Sequence, residues 1–178
     1  KNGFYKFIVL VPTTALAKQW QEEVTINFKF EDTILCCSKN PSWRGELSRI
    51  GTNIVLGGTV NYGIITTYAT FRGTSFQSIF KETFCKDFNE ITLISDEAHN
   101  LASPGFLKVL PEYLKLRIGL SATPERQFDE NGNSIISKYF NNSQEKYTFE
   151  YDMKTAIDNG FLCRYYYYPL IVELEESE

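Results

Sequence analysis

Thr92-Leu93-Ile94-Ser95-Asp96-Glu97-Ala98-His99, followed some twenty positions later by Gly119-Leu120-Ser121-Ala122-Thr123-Pro124, decides how this chain is read. In each stretch a short apolar run reads as a buried strand and delivers a small polar cluster at its carboxyl end. Open parallel sheets place their ligands at that end of their strands. Two such deliveries, correctly ordered, point to two halves of one site rather than to accident.

Working outward, residues 7–11 (Phe-Ile-Val-Leu-Val) form a continuous, partly β-branched run closed by Pro12, as expected of a central parallel strand buried on both faces. Thr13 and Thr14 then cap an expected helix, with Leu16, Trp20 and Val24 at helical spacing and Glu22 and Glu23 facing solvent. Residues 33–37 suggest a second strand, 38–45 a loop, and 46–50 a helix. Residues 54–56 suggest a strand, Gly57-Gly58 a turn, and 62–67 a further strand. Phe76, Ile79, Phe80 and Phe84 recur at helical spacing ahead of a strand at 91–95. A short helix is expected at 106–114 and a strand at 116–120. Loops are expected at 129–133 and 141–143, a helix at 153–159 stopped by Gly160, and a strand at 165–174. Strands alternating with helices predict an α/β domain with a mostly parallel, doubly wound sheet.

The chain's 178 residues, 43% of them hydrophobic, suit about one domain with a sizeable core. A formal charge of −4 excludes a uniformly basic surface, so contact with a polyanion must rest on local donors. Cys36, Cys37, Cys85 and Cys163 form no Cys-x-x-Cys pair, which suggests neither a zinc site nor a disulfide framework and favours a reducing, cytoplasmic setting. No apolar run approaches the roughly 18 residues of a membrane span, so no membrane partner is expected. Lys1 stands just ahead of the first strand and Met153 is the only methionine, so the sequence is expected to be part of something longer.

Hydrolysis of a nucleoside triphosphate needs a carboxylate to hold magnesium, usually through water, and a second group to position the attacking water. Asp96 and Glu97 supply both, because a turn after a strand breaks its side-to-side alternation and can aim both side chains into one site. The competing reading is a helix amino terminus whose acids complement the dipole. His99, the only histidine, is either a structural residue or a link from the nucleotide site to Ser121 or Thr123. Thr13 and Thr14 either cap a helix or contact phosphate, which use the same geometry; Thr66-Thr67 either end a strand or do likewise. The tyrosines at 165–168 could stack bases, although a half-buried amphipathic strand is preferred. Trp43 and Arg44 read as local packing on a loop that could reach nucleic acid.

Together these stretches resemble the first RecA-like domain of superfamily-two DEAH-type helicases. The narrower resemblance is to the group holding the helicase subunits of type III restriction enzymes and the archaeal and eukaryotic repair helicases. Residues 9–20 are similar to motif Ia, 63–71 to the next nucleic-acid-contacting segment, Asp96-Glu97-Ala98-His99 to motif II, and Ser121-Ala122-Thr123 to motif III, continued by Pro124-Glu125-Arg126. Ala156-Ile157-Asp158-Asn159-Gly160-Phe161-Leu162 is similar to the passage toward the second domain.

The resemblance implies a RecA-like three-layer sandwich and an ATP-dependent nucleic-acid helicase or translocase, with DNA favoured as its track. It implies ATP and Mg2+ as cofactors, with Asp96 at the magnesium, Glu97 at the hydrolytic water, and His99, Ser121 and Thr123 beside the nucleotide, Ser121 and Thr123 coupling its state to strand movement. Pro12, Thr13, Thr14, Lys18, Thr66 and Thr67 would touch the sugar-phosphate backbone. Residues 1–164 would form a partial first domain, and 165–178 an exit strand toward a second RecA-like domain.

No Gly-Lys-Ser or Gly-Lys-Thr occurs in the sequence, and Gly57-Gly58-Thr59 lacks the lysine and spacing of a phosphate loop. The resemblance places that loop and its strand before Lys1 and the arginine finger after Glu178, so the chain alone is expected to be inactive. A non-hydrolysing nucleic-acid-binding scaffold and the motor subunit of a restriction or repair nuclease are the alternatives.

Overall fold

The computed structural model describes residues 5–58, 61–140, 147–166 and 168–169. The chain divides into two compact units, Lys1–Ser143 and Gln144–Glu178. The first carries a five-stranded sheet built from β1 (Lys6–Val11), β2 (Thr33–Cys36), β3 (Tyr62–Thr67), β4 (Thr92–Asp96) and β5 (Leu116–Leu120). Their order is β2-β3-β1-β4-β5, and every pairing is parallel. Helices α1 (Thr14–Ile26), α2 (Trp43–Val55), α3 (Tyr68–Phe71), α4 (Thr74–Thr83), α5 (Pro104–Leu107) and α6 (Glu130–Tyr139) connect and flank it. This is the expected α/β, RecA-like architecture.

Strand alternation sorts the core into two layers. Ile8, Leu10, Ile64 and Leu93 join the larger cluster, whereas Val9, Val11 and Ile65 face the smaller one, under Ala17 and the half-buried Leu16 and Trp20 of α1. The larger layer is rich in aromatic rings. Phe76 and Phe80 on α4 and Phe84 at its end stack at successive i, i+4 positions, with centroid separations of 5.6 and 5.1 Å. Each fully buried phenyl contributes about 1.5–3 kcal/mol over an exposed one. Trp43 belongs to this core, with the Arg44 guanidinium 4.7 Å over its ring.

At the amino ends of the strands, Lys6 Nζ lies 2.9 Å from Asp87 Oδ1 and 2.6 Å from Glu90 Oε2, and Tyr62 Oη donates to Asp87 Oδ2 at 2.9 Å. Burial pulls the Lys6 pKa down, but its bonds to Glu90 and Asp87 outweigh that and hold it above 10.5. Burial, seconded by the Asp87 charge, pushes the Tyr62 phenol well up. The network lies at the end of the sheet opposite the expected ligand edge.

Several local expectations are corrected. The strand at 116–120 is not buried: as the edge strand β5 it leaves Leu116, Ile118 and Leu120 exposed. Trp43 and Arg44 stand not on a loop but in the first turn of α2. Ile54 and Val55 are not a strand but the last turn of α2. Leu47, Gly51 and Ile54 recur at helical spacing and are buried, and a three-residue apolar run has no period of its own. Residues 129–133 are not a loop: Asp129 accepts from Gly132 N at 2.9 Å and caps α6, so the polar run is a helix start. The helix expected at 106–114 shrinks to the single turn α5, begun by Pro104 and followed by the turn residues ahead of Pro111. Tyr165, Tyr166 and Tyr168 are neither strand nor half-buried, being 59%, 84% and 82% exposed; the rest of the expected strand, and the loop at 141–143, lie outside the described residues.

In the second unit, Asp152 accepts from Thr155 N at 2.7 Å and caps α7 (Met153–Asp158). That bond holds its carboxyl below the usual value. Gly160, at φ +76°, ends the helix as expected. No helix among the described residues is long and apolar enough to cross a membrane.

Two measurements check this packing. A Cβ at Gly51 would collide with the Thr83 side chain where α2 meets α4, so Gly51→Val is expected to lower the urea unfolding free energy by about 1–3 kcal/mol, and an unchanged midpoint would refute the close approach. Burial raises the phenols of Tyr62, Tyr68 and Tyr139, and takes Tyr113 to about 12. Raised native pKa values contribute stability that is complete below the ordinary value of 10 and lost as pH rises through the native values. Urea midpoints followed by circular dichroism should therefore fall steadily from pH 10 to 12 and stay flat just below pH 10.

Candidate functional site at the carboxyl edge of the sheet

Because all five strands are parallel, β1, β3, β4 and β5 end on one edge. They deliver Pro12-Thr13, Thr67-Tyr68, Asp96-Glu97 and Ser121 there. Asp96 is the last residue of β4, and Glu97 next to it adopts φ 51°, ψ 55°, a left-handed conformation uncommon for any residue but glycine. The turn is fixed by Glu97 N donating to Asp96 Oδ1 at 3.0 Å and by Asn100 Nδ2 donating to Glu97 O at 2.9 Å. It swings Glu97 off the strand's alternation, so both carboxylates serve the same edge.

Glu97 Oε2 accepts from Ser121 Oγ at 3.3 Å, across from β4 to the end of β5. His99 Nδ1 lies 3.2 Å from Ser121 Oγ and 3.4 Å from Glu97 Oε2, and Asn100 Nδ2 lies 3.4 Å from His99 Nε2. Counting donors assigns the tautomer. The Ser121 hydroxyl gives its one proton to Glu97 and accepts from Thr123 N at 3.2 Å. His99 therefore carries its proton on Nδ1, donating toward Ser121 and Glu97, and accepts from Asn100 on Nε2. The side chains of Glu97 and His99 remain 38% and 26% exposed, open to a ligand.

Asp96 is held from both faces of the sheet. Trp20 Nε1 on α1 donates to Asp96 Oδ2 at 2.9 Å, and Tyr68 Oη at the start of α3 donates to the Asp96 carbonyl at 2.8 Å. Neither contact is legible in the sequence, where Trp20 stands out only for its helical spacing and Tyr68 only as a member of residues 63–71. The available signal was chemical: a half-buried indole or phenol needs a partner for its N–H or O–H.

The remaining expected site residues divide. Thr13, exposed, caps α1 through Oγ1 to Leu16 N at 3.2 Å, while Pro12 and Thr14 lie half-buried beside it and Lys18 is exposed on the same helix. Thr66 is fully buried and donates to Cys36 O at 2.9 Å. Thr67 is also buried and bonds the Thr70 hydroxyl at 3.0 Å. Both hydroxyls are thus engaged within the chain. Thr123 is exposed and reaches the cluster through its backbone alone. Arg126 pairs with Asp129 at 3.0 Å and exchanges backbone-to-side-chain bonds with Asn133, fastening the segment after Thr123 to α6.

Among the described residues, no three or more His, Cys, Asp and Glu side chains gather as a metal cage. Asp96 uses one lone pair of each oxygen, for Glu97 N and Trp20, and keeps the others. One such carboxylate suits magnesium, which retains several waters and leans on substrate phosphates.

No curated protein matches the chain. The family described as "Type III restriction enzyme, res subunit" matches residues 1–126, a span containing β1 to β5 and every side chain of the carboxyl-edge cluster. The chain therefore belongs to that family, and its sheet is a RecA-like helicase domain of the ATPase type.

Proposed function

We propose that this domain is the magnesium-ATP-hydrolysing part of a nucleic-acid motor whose track is DNA. The observation that carries the reading is the Asp96, Glu97, His99 and Ser121 cluster, which joins the ends of β4 and β5 through bonds of 3.2–3.4 Å. A scaffold that only bound nucleic acid would have no use for two adjacent carboxylates, one of them held in a left-handed turn.

In this reading Asp96 would hold magnesium, through water. Glu97 orients a second water and takes its proton as the oxygen attacks the γ-phosphorus and the bond to the β-phosphate breaks, leaving ADP and phosphate. Magnesium, when bound, offsets the charge on the phosphate oxygens. Loss of the γ-phosphate changes what Glu97 and Ser121 face, and Ser121, with Thr123 on its hydroxyl, passes that change to the segment tied to α6. Pro12, Thr13, Thr14 and Lys18 grip the sugar-phosphate backbone at the amino end of α1, without reading sequence. Thr66 and Thr67 shape the neighbouring strand end, since their hydroxyls are used internally.

On this reading the machine needs a phosphate-cradling loop and a second RecA-like domain that closes over ATP. The family's description names a restriction enzyme subunit. That supports a motor that translocates for a nuclease rather than one that separates strands.

The test is ATP hydrolysis by the parent protein with magnesium, in the presence and absence of single- and double-stranded DNA and RNA. Turnover should be stimulated by DNA and fall about 10²–10⁴-fold in Glu97→Gln, while the 178-residue chain alone stays inactive. A folded parent without turnover under any condition would favour the scaffold. Turnover by the chain alone, abolished by Glu97→Gln, would overturn its dependence on the other parts.

A further inference from the structure

The helix proposed to touch the track also touches the carboxylate proposed to hold the metal. Thr13, Thr14 and Lys18 lie in the first turns of α1, and Trp20 follows on the same helix, its indole donating to Asp96 Oδ2 at 2.9 Å. Trp20 packs on the smaller core layer with Ala17, Val9, Val11 and Ile65. The opposite face of the sheet reaches the same residue. Tyr68, buried and edge-on to Phe106 with centroids 5.2 Å apart, donates to the Asp96 carbonyl at 2.8 Å.

We propose that Trp20 is a positioning residue that couples strand binding at α1 to magnesium binding at Asp96, with Tyr68 fixing the backbone against which it acts. This rests on the function proposed above. The indole N–H occupies one lone pair of Oδ2 and fixes the rotation of the carboxylate, so the free lone pairs point one way. A helix is stiff along its axis, so a shift of its amino end by a polyanion is carried to Trp20. A hydrogen bond of this length is lost once the separation passes about 3.5 Å, so a movement of well under one ångström alters the hold on Asp96. Tyr68 keeps the Asp96 main chain still, which confines the response to the side chain. Coupling of this kind is reciprocal: DNA must change magnesium affinity by the same factor as magnesium changes DNA affinity.

The discriminating variant is Trp20→Phe, which keeps an aromatic ring on the core and removes the donor. Trp43→Phe is the control, because it makes the same chemical change in the other core layer, where Trp43 packs against Phe76 at 5.9 Å. In the parent protein, Mn2+ binding would be titrated by electron paramagnetic resonance with a non-hydrolysable ATP analogue, with and without single-stranded DNA. ATP hydrolysis would be followed across magnesium concentrations. Trp20→Phe is expected to weaken Mn2+ binding about three- to tenfold, to raise the magnesium needed for half-maximal turnover by the same factor, and to remove most of the effect of DNA on both. Trp43→Phe should move none of these.

Wild-type turnover with DNA-dependent Mn2+ affinity unchanged in Trp20→Phe would refute the coupling and leave the motor reading intact. Equal changes in both variants would show general loosening and refute it as well. Absence of wild-type turnover would sink both readings.

Discussion

The strand β1 is the constraint on which the rest of this structure depends. Ile8 to Val11 have no exposed surface, and β1 pairs in parallel with β3 on one side and β4 on the other. A buried backbone must satisfy its N–H and C=O groups, and a strand covered on both faces does so only through its neighbours. Parallel pairing then forces the next segments of chain to leave from one edge, which is why α1, α3 and the Asp96-Glu97 turn meet there. The site is a consequence of the sheet's polarity more than of any single loop.

At that edge, local backbone geometry and side-chain chemistry act together. The left-handed Glu97 is tolerated because Asp96 and Asn100 hold the turn from both sides, and it redirects a carboxylate that regular alternation would have turned away from Asp96. His99 and Ser121 then join β4 to β5 through a hydrogen-bond pattern that only one histidine tautomer satisfies. Trp20 and Tyr68 bring both faces of the sheet to Asp96. Asp96 is thereby tied to both α1 and the start of α3.

Much of the fold was legible in the sequence because buried parallel strands are apolar runs; residues 7–11 and 62–67 were recognisable on that ground, whereas 116–120 is a strand as expected but lies at the sheet edge with Leu116, Ile118 and Leu120 exposed. The misreadings share a cause, in that local composition was overruled by position. Residues 54–56 look like a strand until Leu47 and Gly51 are counted on the same helical face, and Asp129-Glu130-Asn131-Gly132-Asn133 looks like a loop until Asp129 is seen as a cap. The motif residues could be named from the sequence, but their partners could not. Nothing local distinguishes Trp20, which meets Asp96 across 76 positions, from any other half-buried tryptophan, and the inward turn of Thr66 and Thr67 follows from where β3 lies in the sheet.

The proposed role of Asp96 and Glu97, as the magnesium-ATP end of a nucleic-acid motor, can be tested at the site itself. The most direct measurement is a crystal structure of the parent protein with magnesium, a non-hydrolysable ATP analogue and a DNA strand. Asp96 should lie on a metal-bound water with Trp20 still donating to its carboxylate, Glu97 beside the γ-phosphate, and the strand's phosphates at the amino end of α1. A nucleotide bound away from the carboxyl edge, with Asp96 and Glu97 facing neither metal nor phosphate, would contradict that role.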